Sequence, residues 1–172
     1  GNFLRNDKCF TQTSNLLNTV TPTESYICLY MGLNKSSEQL ELGNTNLWIY
    51  PSYDHDKNVE DFMQNSNADL PVVYISFPAA KDPHFGNNNP GYSTMEAITV
   101  ANWFEYDNWK DRPWKKRGDD YEALKEKLIE RILCTVFEYV PQTREALAYK
   151  ELSTPLSVKS LANYPKGELY GI

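Results

Sequence analysis

DDYEALKEKLIERILCTVFEY, residues Asp119–Tyr139, decides the fold. Tyr121, Leu124, Leu128, Ile132, Val136 and Tyr139 recur at helical spacing and make one apolar stripe, while Glu122, Lys125, Glu126, Glu130 and Arg131 cover the other side. Asp119 suits an N-cap, and Glu122 three positions on completes a capping-box pattern. Pro141 ends the run. A helix with one apolar face must lay that face on something, and the flanking sequence supplies strands.

Upstream, Ser25–Leu33 (SYICLYMGL) is rich in β-branched and aromatic residues and leaves through Gly32–Leu33–Asn34. Asn46–Tyr50 (NLWIY) is a second strand, stopped by Pro51; Val59–Gln64 forms one or two helical turns in an acidic loop. Pro71–Phe77 (PVVYISF) is an almost unbroken apolar run of strand length, the pattern of burial on both faces. Pro78 and Pro83 close it, and Gly86–Gly91 (GNNNPG) is turn chemistry. Ser93–Ala101 (STMEAITVA) is another strand, and Asn102–Trp109 a short amphipathic helix. Tyr149–Leu152 returns as a strand. Residues 1–24 form a weakly patterned, Asn/Thr-rich lead-in, and 25–172 the domain. The expected class is α+β: an antiparallel or mixed sheet with the long helix on one face.

Composition narrows the function. The 172 residues carry a formal net charge of −6 and 13% aromatics, with a mean hydropathy of −0.60. That balance fits one domain with a real core, and it argues against a nucleic-acid partner, which calls for the opposite sign. The basic cluster Lys110–Arg117 is interrupted by Asp111 and followed by Asp119 and Asp120, and reads as solvated loop. The chain opens on Gly1, which suggests a cleaved tag or an excised piece. Cys9, Cys28 and Cys134 are odd in number and lack metal-ligand spacing, so free, reduced thiols and a cytoplasmic setting are expected, with Cys28 and Cys134 as packing residues.

Independent catalysis finds little support. There is no glycine-rich phosphate loop and no Gly-x-Ser-x-Gly elbow. His55 in Tyr53–Asp56 has no clustered partner, so no metal is expected; Asp54/Asp56 and Asp119/Asp120 read as loop solvation and capping. The rings of Trp103–Trp114 either pack the core or wall a pocket for an elongated apolar ligand.

Three segments point further: VYISFPAAKDP (Val73–Pro83), WFEYDNWKDRPWKKRGDDYEALKEK (Trp103–Lys127) and TPLSVKSLANYPKGELYG (Thr154–Gly171). In this order and spacing, with LWIYPSYDHDKN (Leu47–Asn58), they resemble the flavoprotein family of all-trans-retinol saturases, carotenoid cis–trans isomerases and phytoene desaturase-like enzymes. The resemblance implies an FAD-dependent parent acting on a retinoid or carotenoid-like polyene by saturation, desaturation or isomerisation. This chain would be its substrate-side domain, partnered by an FAD-binding domain that it lacks, so that it holds no FAD by itself. The resemblance further implies substrate contacts for Trp103, Phe104, Tyr106, Thr154, Asn163 and Tyr170, and a close approach of Gly167 to the flavin. In the parent, peripheral membrane contact is expected. Without the flavin domain, Leu156, Leu161, Leu169 and Tyr170 are expected to lose partners, leaving the tail mobile or buried in a fragment dimer. The alternative is a stand-alone, non-catalytic domain binding an apolar ligand or protein partner.

Overall fold

The computed structural model describes residues 15, 19, 20 and 23–170; Cys9 and most of the lead-in lie outside them. Five strands, β1 (Ser25–Leu33), β2 (Leu47–Ile49), β3 (Val73–Ser76), β4 (Ser93–Ala101) and β5 (Leu147–Ser153), form one sheet in the order β2-β3-β4-β1-β5. Every pairing is antiparallel. The longest, β1 with β4, pairs Ser25 with Ala101 through to Leu33 with Ser93. The expected α+β class is observed, with an antiparallel rather than a mixed sheet.

Helices fill the connections: α1 (His55–Gln64), α2 (Pro78–Lys81), α3 (Phe85–Asn88), α4 (Asp119–Tyr139) and α5 (Pro155–Ala162), with short 3-10 turns at Trp103–Tyr106 and Pro141–Ala146. Alternation on the strands selects the core. Ile27, Leu29, Met31 and Leu33 of β1, Met95 and Ala97 of β4, and Val73 and Ile75 of β3 join Tyr121, Leu128, Ile129, Ile132 and Val136 of α4 in one buried cluster.

The long helix keeps its bounds but not its cap. Gly118 occupies the cap position at φ 92, and Asp119 is the first helical residue, without the expected capping-box partner role. A Cβ on Gly118 would sit 2.8 Å from Asp120 Oδ1, so the loop closes here in a way only glycine accommodates. The first-turn acids Asp119, Asp120 and Glu122 still suit the positive end of the helix. Asp120 also ties down the preceding loop, accepting from Trp109 Nε1 (2.8 Å) and Arg112 Nη1 (3.0 Å). These bonds hold its carboxyl below the usual range. The apolar stripe ends a turn early: Tyr139 is exposed, and Ile129 is buried instead.

Other local expectations are revised by packing. Helix α1 is a turn longer than expected because Asp54 is its cap, accepting from the Lys57 amide at 3.1 Å, rather than solvated loop. Only Trp103–Tyr106 of the expected Asn102–Trp109 helix is helical, as a 3-10 turn. Pro78 opens α2 instead of merely closing β3, and Phe85–Asn88 forms a helical turn within the expected turn region. Cys134 lies on the exposed side of α4, not in packing, whereas Cys28 is buried; both are free. The tail forms α5; Leu156 is fully buried in the domain's own core, not deprived of partners, whereas Leu161, Leu169 and Tyr170 are exposed. No described helix is long and apolar enough to cross a membrane.

Candidate functional site

Two surfaces concentrate the candidate residues. The first is at the end of the sheet where β1 begins and β4 stops. Here Trp103 and Phe104 line a groove of about 360 Å³ with Thr23, Ser25, Met63, Asn102 and Lys166. Asn102 shapes it by donating to the Met63 carbonyl (3.1 Å) and accepting from the Phe104 amide (3.1 Å). Phe104 is 74% exposed, and Lys159 Nζ stands 5.8 Å from the Trp103 ring. The tail closes against this end. Ser25 pairs with Glu168, the Leu169 amide donates to the Glu24 carbonyl (3.1 Å), and Ser25 Oγ donates to the Lys166 carbonyl (2.5 Å). Residues 23–25 and 168–170 therefore run side by side.

The remaining sequence candidates disperse. Tyr106 is a core residue at 1% exposure, its phenol pushed up by burial. Thr154 is buried, its hydroxyl 2.6 Å from that of Tyr121, and its amide donates to Ser157 Oγ at the start of α5. Asn163 caps the end of α5 in the left-handed conformation at φ 59. Tyr170 is 82% exposed and held by its amide to Thr23 Oγ1 (3.3 Å). Gly167, at φ 64, does make a close approach, but to protein: a Cβ there would lie 2.5 Å from Pro155 Cα and from the Pro155 carbonyl oxygen.

The second surface escaped the residue-by-residue reading. Along β4 the burial alternates strictly, with Met95 and Ala97 buried on the helix side and Glu96, Ile98 and Val100 only partly covered on the other. The registers place Tyr26, Cys28 and Tyr30 of β1, Tyr74 of β3 and Trp48 of β2 on that same half-open face. Trp48 is 61% exposed and packs against Tyr74, with ring centroids 4.6 Å apart and the planes tilted by 59°. Tyr30 is 47% exposed. The signal was in the sequence: SYICLYMGL and PVVYISF are apolar at both parities of the strand, which a one-sided sheet does not require.

This face is chemically quiet. Burial pushes the Cys28 thiol up to about 12, against the opposing hydrogen bond from Tyr30. The Tyr30 and Tyr26 phenols are raised as well, chiefly by burial. All three are neutral at physiological pH, so the face offers no thiolate or phenolate nucleophile. Iodoacetamide is therefore expected to label Cys134 rapidly and Cys28 only on unfolding, read by peptide mass spectrometry. Equal native-state rates would contradict the buried thiol. Among the described residues no three His, Cys, Asp or Glu side chains group as a metal site.

The molecule is thus an α+β domain with one face of its sheet closed by a long helix and the other an aromatic wall. No protein-family model matches the chain. Curated proteins do. It is 32% identical over 152 residues to an all-trans-retinol 13,14-reductase of Danio rerio, covering 86% of this chain and 25% of that protein. The human protein of the same name is 29% identical over 96% of this chain and 28% of its own length. A Danio rerio protein named inactive all-trans-retinol 13,14-reductase is 28% identical over 87% of this chain and 26% of its own length. The chain is a homologue of the all-trans-retinol 13,14-reductases and spans about a quarter of the length of these relatives.

Proposed function

We propose that this chain is the substrate-side domain of an FAD-dependent oxidoreductase acting on a retinoid or carotenoid-like polyene. The observation that carries the reading is the half-open sheet face, on which Trp48, Tyr74, Ile98, Val100, Tyr26 and Tyr30 offer a largely apolar wall with phenol hydroxyls, interrupted by the carboxylate of Glu96. An elongated conjugated hydrocarbon gains by leaving water along such a wall, at about 25 cal/mol per Å² of apolar surface. The side-by-side course of residues 23–25 and 168–170 agrees with a domain set between two parts of a longer chain.

The flavin belongs, in this reading, to those other parts. The residues here do not fit it: the sequence has no glycine-rich turn between strand and helix, and the space beside Gly167 is taken by the Pro155 backbone. The domain's own contribution is to bind the polyene, exclude water and fix which bond is presented. The inactive relative supports a second reading, a domain that binds an apolar ligand without catalysis, because this segment is present in a protein so named.

Titration of all-trans-retinol into the chain, followed by tryptophan quenching, is the test. Saturable binding is expected, weakened about tenfold by Trp48→Ala or Ile98→Ser with little change in melting temperature. Unsaturable partitioning, indifferent to both substitutions, would remove the polyene reading. Addition of a flavoprotein-derived FAD domain from a relative separates the two functions, since only the enzyme reading expects turnover.

A further inference from the structure

Arg117 is 6% exposed, yet among the described residues no carboxylate pairs with it. Nη2 donates to the Leu156 carbonyl (3.1 Å) and the Ser160 hydroxyl (2.8 Å), and the buried Nε has no acceptor. Both acceptors are neutral. A guanidinium has more N–H donors than these two acceptors use, and it does not lose its proton. Burying such a charge is costly unless an anion faces it. The Tyr121 ring, 5.3 Å from Cζ, offsets only part of that cost.

Arg117 lines a recess of about 100 Å³ together with Lys115, Lys125, Glu122 and Glu151. Glu122 pairs with Lys125 within the recess (3.4 Å), and Glu151 accepts from the Tyr149 hydroxyl (2.5 Å), so three cations stand against two carboxylates there. Lys115 and Arg117 are left as two cations without an ion pair at one recess, on a chain of net charge −6. We infer that the recess binds a small oxyanion, a phosphate or carboxylate group, through the guanidinium of Arg117 and the ammonium of Lys115. Its volume suits one such group and not a nucleotide. The inference stands apart from the polyene reading, since neither Arg117 nor Lys115 belongs to the half-open face.

The probes are sodium phosphate and sodium acetate, each titrated into the chain against sodium chloride at matched ionic strength. The Arg117 Nε–H and Gly118 amide resonances are followed by ¹⁵N–¹H NMR. The expected result is a saturating shift with a millimolar midpoint for one or both oxyanions and none for chloride. Phosphate saturation assigns a phosphate group, and saturation by acetate alone assigns a carboxylate. Lys115→Ala, at an exposed position, is expected to weaken binding about tenfold while leaving the melting temperature unchanged. Arg117→Lys keeps the charge but loses the planar fork, and weakens it further. Shifts that never saturate, that chloride reproduces, or that Lys115→Ala leaves intact would overturn the assignment.

Discussion

Ile132→Ala is expected to destabilise the domain by about 2–5 kcal/mol, the usual range for truncating a fully buried isoleucine. Ile132 has 0% exposure and sits in the middle of the α4 stripe, among Leu128, Ile129 and Val136 and the helix-side residues of the sheet. Removing its branched end leaves a void that a rigid sheet on one side and a two-sided helix on the other cannot collapse to fill. Urea unfolding is the measurement: the midpoint should fall with an unchanged slope, because the surface exposed on unfolding is nearly the same. Tyr139→Ala is the control. Tyr139 was expected on the same stripe, but it is 52% exposed, so its truncation should stay within about 0.5 kcal/mol. If the two variants unfold alike, α4 presents a different face to the sheet.

Gly167→Ala is expected to cost about 2–5 kcal/mol, from two sources that add. The left-handed backbone at φ 64 costs an alanine about 1–2 kcal/mol. The methyl would also meet the Pro155 Cα and carbonyl at 2.5 Å, and both are backbone atoms at the start of α5 that cannot swing aside. Overpacking of this kind adds about 1–3 kcal/mol. The tail would lift from α5, and the Ser25–Glu168 pairing and the Leu169-to-Glu24 hydrogen bond would weaken with it. Hydrogen exchange at the Leu169 amide reads this directly. Because the close approach is to Pro155, the loss is expected in the chain alone, with no flavin present. Unchanged protection and stability would show that the tail does not pack here.

The resemblance carried by VYISFPAAKDP, the Trp103–Lys127 segment and the TPL–GELYG tail agrees with the relatives named all-trans-retinol 13,14-reductase. The site was less legible. Of the six residues assigned to substrate, Trp103 and Phe104 share a groove, whereas Tyr106 and Thr154 are buried. Aromatic density marks where rings are, not which way they face. Within the 3-10 turn Trp103–Tyr106, two residues apart, Phe104 faces outward and Tyr106 inward.

Local pattern was enough for the strands β1 and β4 and for the bounds of α4, because periodicity is a property of neighbouring residues. It was also enough for the α+β class, since a one-sided helix beside alternating strands has few ways to bury its face. The tertiary structure decided the rest. Only the strand order β2-β3-β4-β1-β5 brings Trp48, Tyr74, Ile98 and Tyr30 from four segments onto one wall. Only the packing of the tail on α5 gives Gly167 its neighbour and places Arg117 beneath Leu156 and Ser160. These contacts join residues from 12 to 43 positions apart, and their energies depend on distances that no local pattern encodes.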